Sequence, residues 1–186
     1  MAESDPRRYP LIGDNAIGGV AIVSDHVSGR DEHTSASAIV PGLSEAIAAR
    51  GDLAPLRFFG EFGRAYAARD VERLVALFDD DWTMADFRPH DSQNIYGVEG
   101  ARALIRSVFT VSPDIRFAID EVLACDDRVI ALTVSYRGRA QGGLSEFNYI
   151  SGYVAEIQAG RWFSTSEFEH DDHAAMIARY GALGGH

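Results

Sequence analysis

The sequence predicts an α+β fold in which a curved antiparallel sheet wraps around three N-terminal helices. Three observations lead to this prediction. Apolar residues recur at helical spacing through much of residues 53–111, whereas residues 114–170 alternate between apolar and polar side chains as β-strands do. One further strand-like segment, residues 81–88, lies among the helices. Helices followed by a run of strands are typical of a sheet that has its helices on one face.

The helices are predicted from the spacing of their apolar residues. The first helix begins after Asp52 and carries apolar residues at Leu56, Phe59, Phe62 and Tyr66. A second, shorter helix carries Val71, Leu74, Val75 and Phe78, and a third carries Val98, Ala101, Ile105 and Val108. Each set falls on one side of its helix, so each helix has a face that it can bury.

Four long strands are predicted in the second half of the chain, at residues 115–124, 129–138, 144–157 and 161–170. The short segments CDDR (125–128) and QAG (158–160) suit hairpin turns. Because hairpins join neighbouring antiparallel strands, we expect a four-stranded meander, with residues 81–88 pairing at one edge of the same sheet. A last helix is expected to follow HDD (170–172).

Residues 1–52 lack this regular patterning. They contain a short apolar run at 18–23, a polar stretch at 24–37 and a short predicted helix over 43–50. We interpret residues 1–52 as an N-terminal extension that is partly disordered or linker-like. Residues 53–183 form the predicted domain.

The composition excludes several classes of partner and site. A net charge of -11 would repel nucleic acid and anionic membrane surfaces. The start of the chain has no apolar signal segment, and no apolar run approaches a membrane span, so we expect a cytoplasmic protein. The single cysteine, Cys125, allows neither an internal disulfide nor a cysteine-rich zinc site.

The motifs give no reason to expect a cofactor. All 17 basic residues are arginines, which excludes a lysine Schiff base and a phosphate-loop lysine. The glycines of residues 12–20 lack the Lys-Ser/Thr ending of a phosphate-binding loop. HDDH at 170–173 has the spacing of metal ligands, but a helix N-terminus capped by Asp171 or Asp172 explains it better, so no metal is expected.

The strand at 81–88 places a carboxylate in line with large apolar side chains. With the alternation of a strand, Trp82, Met84, Asp86 and Arg88 lie on one face. If that face points into the domain, Asp86 is a buried acid that needs a partner or a function. If it points into water, Trp82 and Met84 are exposed.

Residues 53–183 resemble the nuclear-transport-factor-2-like superfamily, in particular its SnoaL-like and ketosteroid-isomerase-like branches. Four segments carry the resemblance: AARDVERLVALFDDDWTMAD (67–86), YGVEGARALI (96–105), LTVSYRG (132–138) and AGRWFSTSEFEHDD (159–172). The resemblance implies a cone-shaped fold that encloses one deep, mostly apolar pocket. Family members act as isomerases, polyketide cyclases, dehydratases and epoxide hydrolases, and others only bind a ligand or dimerise, so the fold alone does not define the function.

The resemblance also implies a catalytic role for Asp86. In ketosteroid isomerases the aspartate that moves the substrate proton stands at the position of Asp86, where it acts as a general base. The alternative is a structural ion pair between Asp86 and Arg88. Two positions depart from the isomerase pattern, because Phe62 replaces the oxyanion-hole tyrosine and Gly152 replaces the second oxyanion acid. Without these donors an enolate would lack its usual stabilisation, which argues against ketosteroid isomerisation.

The remaining pocket residues are predicted from the phases of the strands. Besides Asp86, the candidates for catalysis are His90 and Glu167, and the candidates for ligand contact are Phe62, Trp82, Met84, Arg88, Leu132, Val134, Tyr136, Asn148 and Ile150. Three of these keep an alternative: Glu167 can lie in solvent at the pocket mouth, Tyr136 can be a core residue, and His90 can occupy a solvated turn.

The sequence therefore predicts a SnoaL-like domain that binds a small, largely apolar organic molecule, with acid–base chemistry at Asp86. The enzyme would be a cofactor-independent isomerase, cyclase, hydratase or dehydratase. The alternative is a non-catalytic ligand-sensing or dimerisation domain that serves a signalling or regulatory protein. A homodimer is expected, because the outer sheet face would hold the largely apolar set Val129, Ala131, Thr133, Phe147, Tyr149 and Tyr153.

Overall fold

The computed structural model describes residues 40–89, 94–142 and 146–186, and a six-stranded sheet organises them. The helices of the described residues are α1 Leu43–Arg50, α2 Ala54–Ala67, α3 Val71–Val75, α4 Gly97–Val111 and α5 His173–Ala182. The strands are β1 Phe78–Asp86, β2 Ile95–Tyr96, β3 Arg116–Cys125, β4 Val129–Arg139, β5 Glu146–Gln158 and β6 Arg161–Phe168. The α+β fold class is confirmed. No helix in these ranges has the length and apolar character needed to cross a membrane.

The strand order in the sheet is β2-β1-β6-β5-β4-β3. Strands β3 to β6 form the predicted antiparallel meander. The expectation of a wholly antiparallel sheet is wrong at one pair, because β1 runs parallel to β6. These two strands are separated by α4 and three other long strands, so no tight hairpin forces them to be antiparallel. Strand β1 pairs at the β6 edge of the meander, as expected, and the short strand β2 extends the sheet on the other side of β1.

One face of the sheet, here called the inner face, packs on α2 through an aromatic core. Leu56, Phe59, Phe62 and Tyr66 are all buried, which confirms the predicted apolar side of α2. The ring of Phe62 lies 5.3 Å from that of Phe117 on β3 and 5.5 Å from that of Trp162 on β6, measured between centroids. Aromatic side chains therefore fill the space between α2 and the sheet.

The register of β4 and β5 corrects the predicted phase of β5. Leu132 pairs with Tyr153, Val134 with Ser151, and Tyr136 with Tyr149. Directly paired residues share a face, so Tyr149, Ser151 and Tyr153 accompany the buried β4 residues on the inner face. Phe147 is in phase with them and packs against the same core. The predicted placement of Phe147, Tyr149 and Tyr153 on the outer face is therefore wrong.

The outer face of the sheet is covered by α5. Val129 and Ala131 lie on this face as predicted, but they are fully buried and cluster with Met176 and Tyr180 of α5. Gly152 faces the same helix, because a Cβ added there would lie 2.6 Å from Met176 Sδ. The apolar outer face that led us to expect a homodimer is thus already buried within the chain.

Segments outside the sheet bind the backbone of its edge strand β3. The amide of Ile119 donates to the carbonyl of Pro41 over 3.0 Å. The guanidinium of Arg50, at the end of α1, donates to the carbonyls of Val122 and Leu123, each over 2.8 Å. The register between β3 and β4 also shifts twice, between residues 119 and 121 and between 122 and 124, as at β-bulges.

Candidate functional site

The row of alternating residues on β1 points into the domain. Trp82 is 2% exposed, and its indole Nε1 donates to Thr165 Oγ1 over 3.2 Å. Met84 packs against the aromatic core, and the side chain of Asp86 is 4% exposed. The inward orientation is therefore the correct one. Because β1 and β6 run parallel and in register, Asp86 lies directly beside Glu167.

Arg88 joins these two carboxylates. Its backbone amide and its Nε both donate to Asp86 Oδ1 over 2.9 Å, and its Nη2 contacts Asp86 Oδ2. Its Nη1 lies 3.1 Å from Glu167 Oε1. Burial alone would lower the pKa of Arg88, but its hydrogen bonds to Asp86 and the charge of Glu167 outweigh this effect and raise that pKa. We call Asp86, Arg88 and Glu167 the Arg88 cluster.

Glu167 is the most deeply buried member of the Arg88 cluster, at 2% exposure. Its Oε1 accepts hydrogen bonds from Tyr149 Oη over 2.7 Å and from Ser151 Oγ over 2.6 Å. Burial raises the pKa of Glu167 to about 7, although the charge of Arg88 and the hydrogen bond from Ser151 act in the opposite direction. The charge of Asp86 adds to the rise. Glu167 therefore exchanges a proton near neutral pH.

Two further hydroxyl groups lie on the inner face beside the Arg88 cluster. Tyr153 pairs in register with Glu167, and its Oη lies 3.4 Å from Tyr136 Oη. Burial raises the pKa of both tyrosines well above the ordinary value, so both keep their protons at neutral pH. The site thus combines one exchangeable acid, a permanent cation and several neutral hydroxyl groups.

The other predicted site residues fall into three groups. Phe62, Leu132 and Val134 are buried in the core, and their role as ligand contacts stays a prediction. Asn148 and Ile150 are on the opposite face from Tyr136, so their predicted place in the pocket is wrong; Asn148 is exposed and accepts a hydrogen bond from Arg137 Nε over 3.3 Å. His90 lies outside the described residues.

Sequence reasoning missed Tyr149, Ser151 and Tyr153. The predicted phase of β5 puts Asn148 and Ile150 on the pocket side and therefore excludes these three residues from the pocket. Gly152 instead faces α5. The composition of β5 carried the better signal, since Phe147, Tyr149 and Tyr153 form an aromatic row, and large aromatic residues favour a packed face.

Two clefts of about 480 and 460 Å³ lie near the end of α2, and neither is lined by the Arg88 cluster. The single deep pocket implied by the resemblance therefore stays a prediction. At the start of α5, Asp172 accepts a hydrogen bond from the Ala175 amide over 3.1 Å, as expected of a helix cap. The part of the chain that the structure describes holds no group of three His, Cys, Asp or Glu side chains suited to a metal ion.

The curved six-stranded sheet and its helices have the fold of a nuclear-transport-factor-2-like protein. A family model described as a SnoaL-like domain matches residues 59–165, and the chain belongs to this family. No curated protein matches the chain.

Solved structures with the same fold include proteins that hold small organic molecules. Rv0760c from Mycobacterium tuberculosis, in complex with estradiol-17β-hemisuccinate, has a TM-score of 0.55 and 17% identity, over 62% of this chain and 93% of that one. A computationally designed 17-OHP binder has a TM-score of 0.54 and 17% identity, over 62% of this chain and 92% of that one. The epoxide hydrolase/cyclase-like enzyme SalBIII has a role in pyran ring formation in the polyether salinomycin. Its structure has a TM-score of 0.51 and 15% identity, over 60% of this chain and 87% of that one. At these identities the likeness extends to the fold alone.

Proposed function

We propose that this domain binds a small, largely apolar organic molecule against the Arg88 cluster and moves a proton to or from it without a cofactor. The observation that carries the proposal is the environment of Glu167, a carboxyl buried to 2% exposure whose pKa is about 7. A group with this pKa is present in both protonation states at neutral pH, which suits general acid–base catalysis. Isomerisation, cyclisation and the addition or loss of water are the reactions that such a group serves.

Each member of the Arg88 cluster has a separate part in this proposal. Glu167 is the group that accepts or donates the proton. Asp86 binds Arg88 through three donors, so its part is to hold the guanidinium in place rather than to act as the base first expected. Tyr136 and Tyr153 supply neutral O–H groups that can stabilise negative charge on a ligand oxygen. A catalytic role for His90 stays a prediction.

The second candidate is a ligand-sensing module that performs no chemistry. Two observations favour it. Aromatic side chains pack between α2 and the sheet, and the carboxyl group of Glu167 already pairs with Arg88 and accepts hydrogen bonds from Tyr149 and Ser151. In this case the cluster contributes to the stability of the fold or to the recognition of the ligand, and the ligand dissociates without chemical change.

A proton-exchange experiment separates the two candidates. The full chain is incubated in D₂O with a panel of small cyclic ketones and enones, and NMR measures both ligand binding and deuterium incorporation beside the carbonyl. The matched variants are Glu167→Gln and Glu146→Gln, since Glu146 is 72% exposed and remote from the inner face. We expect Glu167→Gln to reduce exchange by roughly two to four orders of magnitude while Glu146→Gln has no effect. Binding without exchange in the unaltered protein supports the sensing module, and equal exchange in both variants eliminates Glu167 as the proton carrier.

We also propose a homodimer, which the family resemblance implies. The outer-face argument no longer supports it, because α5 covers that face. Light scattering at micromolar concentration tests the proposal, and a monomer mass would refute it.

A further inference from the structure

Two buried polar atoms in the described residues have no hydrogen-bond partner, Tyr66 Oη and Arg69 Nη1. Both side chains line the same cleft of about 460 Å³, between the end of α2 and the start of β3. Buried donors are almost always satisfied in native proteins, so two unsatisfied donors on side chains that line one cleft call for an explanation. No member of the Arg88 cluster lines this cleft, and the inference does not depend on the function proposed above.

The structure holds these two donors in place. Arg69 Nη2 donates to the carbonyl of Ile115 over 2.7 Å, and its guanidinium carbon lies 4.7 Å from the centroid of the Phe109 ring. The backbone of Arg69 has a φ of 58°, a left-handed conformation that is uncommon for a residue with a side chain. Tyr66 is 4% exposed, and burial raises its pKa, so its hydroxyl remains protonated at neutral pH.

The walls of the cleft indicate the chemistry of its occupant. The apolar part of the lining is Val40, Pro41, Gly63, Ala67, Ile115 and Phe117. The charged residues are Arg69, Arg116 and Asp114, which leave one net positive charge. Asp114 is already bound, since it accepts from the Arg139 amide over 2.8 Å and from Ser112 Oγ over 3.3 Å. The volume is within the usual range for small-molecule sites.

We infer that this cleft binds a small organic monocarboxylate, whose carboxylate accepts hydrogen bonds from Tyr66 Oη and Arg69 Nη1 while its apolar part lies on the cleft wall. A carboxylate supplies the acceptors that the two donors lack, and its single charge matches the net charge of the lining. A purely apolar ligand would leave both donors without an acceptor.

Benzoate tests the inference, with benzyl alcohol as its neutral counterpart. Calorimetric titration of the full chain should give saturable binding of benzoate and much weaker binding of benzyl alcohol. Tyr66→Phe should weaken benzoate binding about tenfold, the effect of removing one hydrogen bond to a charged group. Because the hydroxyl has no partner, this substitution should leave the thermal midpoint of the ligand-free protein unchanged or raise it. Tyr96→Phe is the matched control, since Tyr96 is 66% exposed and does not line the cleft.

Four results would overturn the inference. Equal affinity for benzoate in Tyr66→Phe and in the unaltered protein would place the ligand elsewhere, and so would loss of binding in Glu167→Gln. A strong drop in the midpoint of ligand-free Tyr66→Phe would mean that the hydroxyl has a partner within the chain. Absence of saturable heat at millimolar benzoate would mean that the cleft does not bind a carboxylate. Retained binding in Glu167→Gln supports a site that is independent of the Arg88 cluster, whatever the outcome of the proton-exchange experiment.

Discussion

Replacement of Glu167 by Gln should change the pH dependence of stability in a defined direction. The pKa of Glu167 in the native protein is about 7, against an ordinary value of 4.5. Between these two pH values the native protein keeps a proton on Glu167 that the unfolded chain has released. The free energy of unfolding therefore falls as pH rises through this window, and Gln, which does not titrate, removes that fall.

The size of this effect comes from the same two values. The difference between the native pKa of about 7 and the ordinary pKa of 4.5 changes the free energy of unfolding by about 3 kcal/mol in total. About 2 to 3 kcal/mol of this change falls between pH 5 and pH 8. Relative to the unaltered protein, Glu167→Gln should thus gain about this amount of stability between pH 5 and pH 8. Any constant cost of placing an amide beside Arg88 applies at both pH values and cancels in the comparison.

Equilibrium unfolding in urea measures the effect directly. Trp82 and Trp162 are 2% and 4% exposed, so their fluorescence should report the loss of the core. Glu146→Gln serves as the control for the exchange of a carboxyl for an amide, because that side chain is 72% exposed. If the stability difference between the unaltered protein and Glu167→Gln is the same at pH 5 and pH 8, or changes in the opposite direction, the assigned environment of Glu167 is wrong.

Two other substitutions test the packing around the site. Asp86→Asn should lower the free energy of unfolding by about 2 to 3 kcal/mol, because it weakens the ion pair with half-buried Arg88. It should also lower the pKa of Glu167, which ¹³C NMR can follow; an unchanged stability would contradict the structural part of this ion pair. Gly152→Ala should cost about 1 to 3 kcal/mol, since its Cβ would lie 2.6 Å from Met176 Sδ, whereas Gly181→Ala, in open space on α5, should stabilise the helix by about 1 kcal/mol. A neutral Gly152→Ala in urea unfolding would contradict this cost and would mean that the Met176 side chain moves aside to admit the added methyl group.

The fold could be predicted from the sequence wherever local periodicity decides the structure. Helical spacing identified the buried face of α2, and alternation located the four strands of the meander. The parallel pairing of β1 with β6 could not be predicted in this way, because the two strands are far apart in the chain and no turn fixes their relative direction.

Only part of the candidate site could be predicted, because local periodicity does not fix how a strand faces the core. Alternation shows which residues of a strand share a face but not which face is buried, and an error of one residue exchanges the two. On β1 the resemblance to the ketosteroid isomerases placed Asp86 on the pocket side, so Asp86 and the alternative ion pair with Arg88 were both identified. On β5 the predicted phase gave the wrong face, so Tyr149 and Ser151 were missed. The buried environment of Glu167 depends on contacts from three strands, which no single segment encodes.

The contacts along β3 bear on how the protein behaves when it is concentrated. An open edge strand is a template on which another chain can add its own strand, and this is a route to aggregation. Here Pro41 already accepts from the Ile119 amide, Arg50 occupies two carbonyls, and two bulges interrupt the straight run of the edge. The opposite edge strand, β2, is only two residues long. Both edges are therefore poor templates, and a protein of this design should resist polymerisation through its sheet even at high concentration.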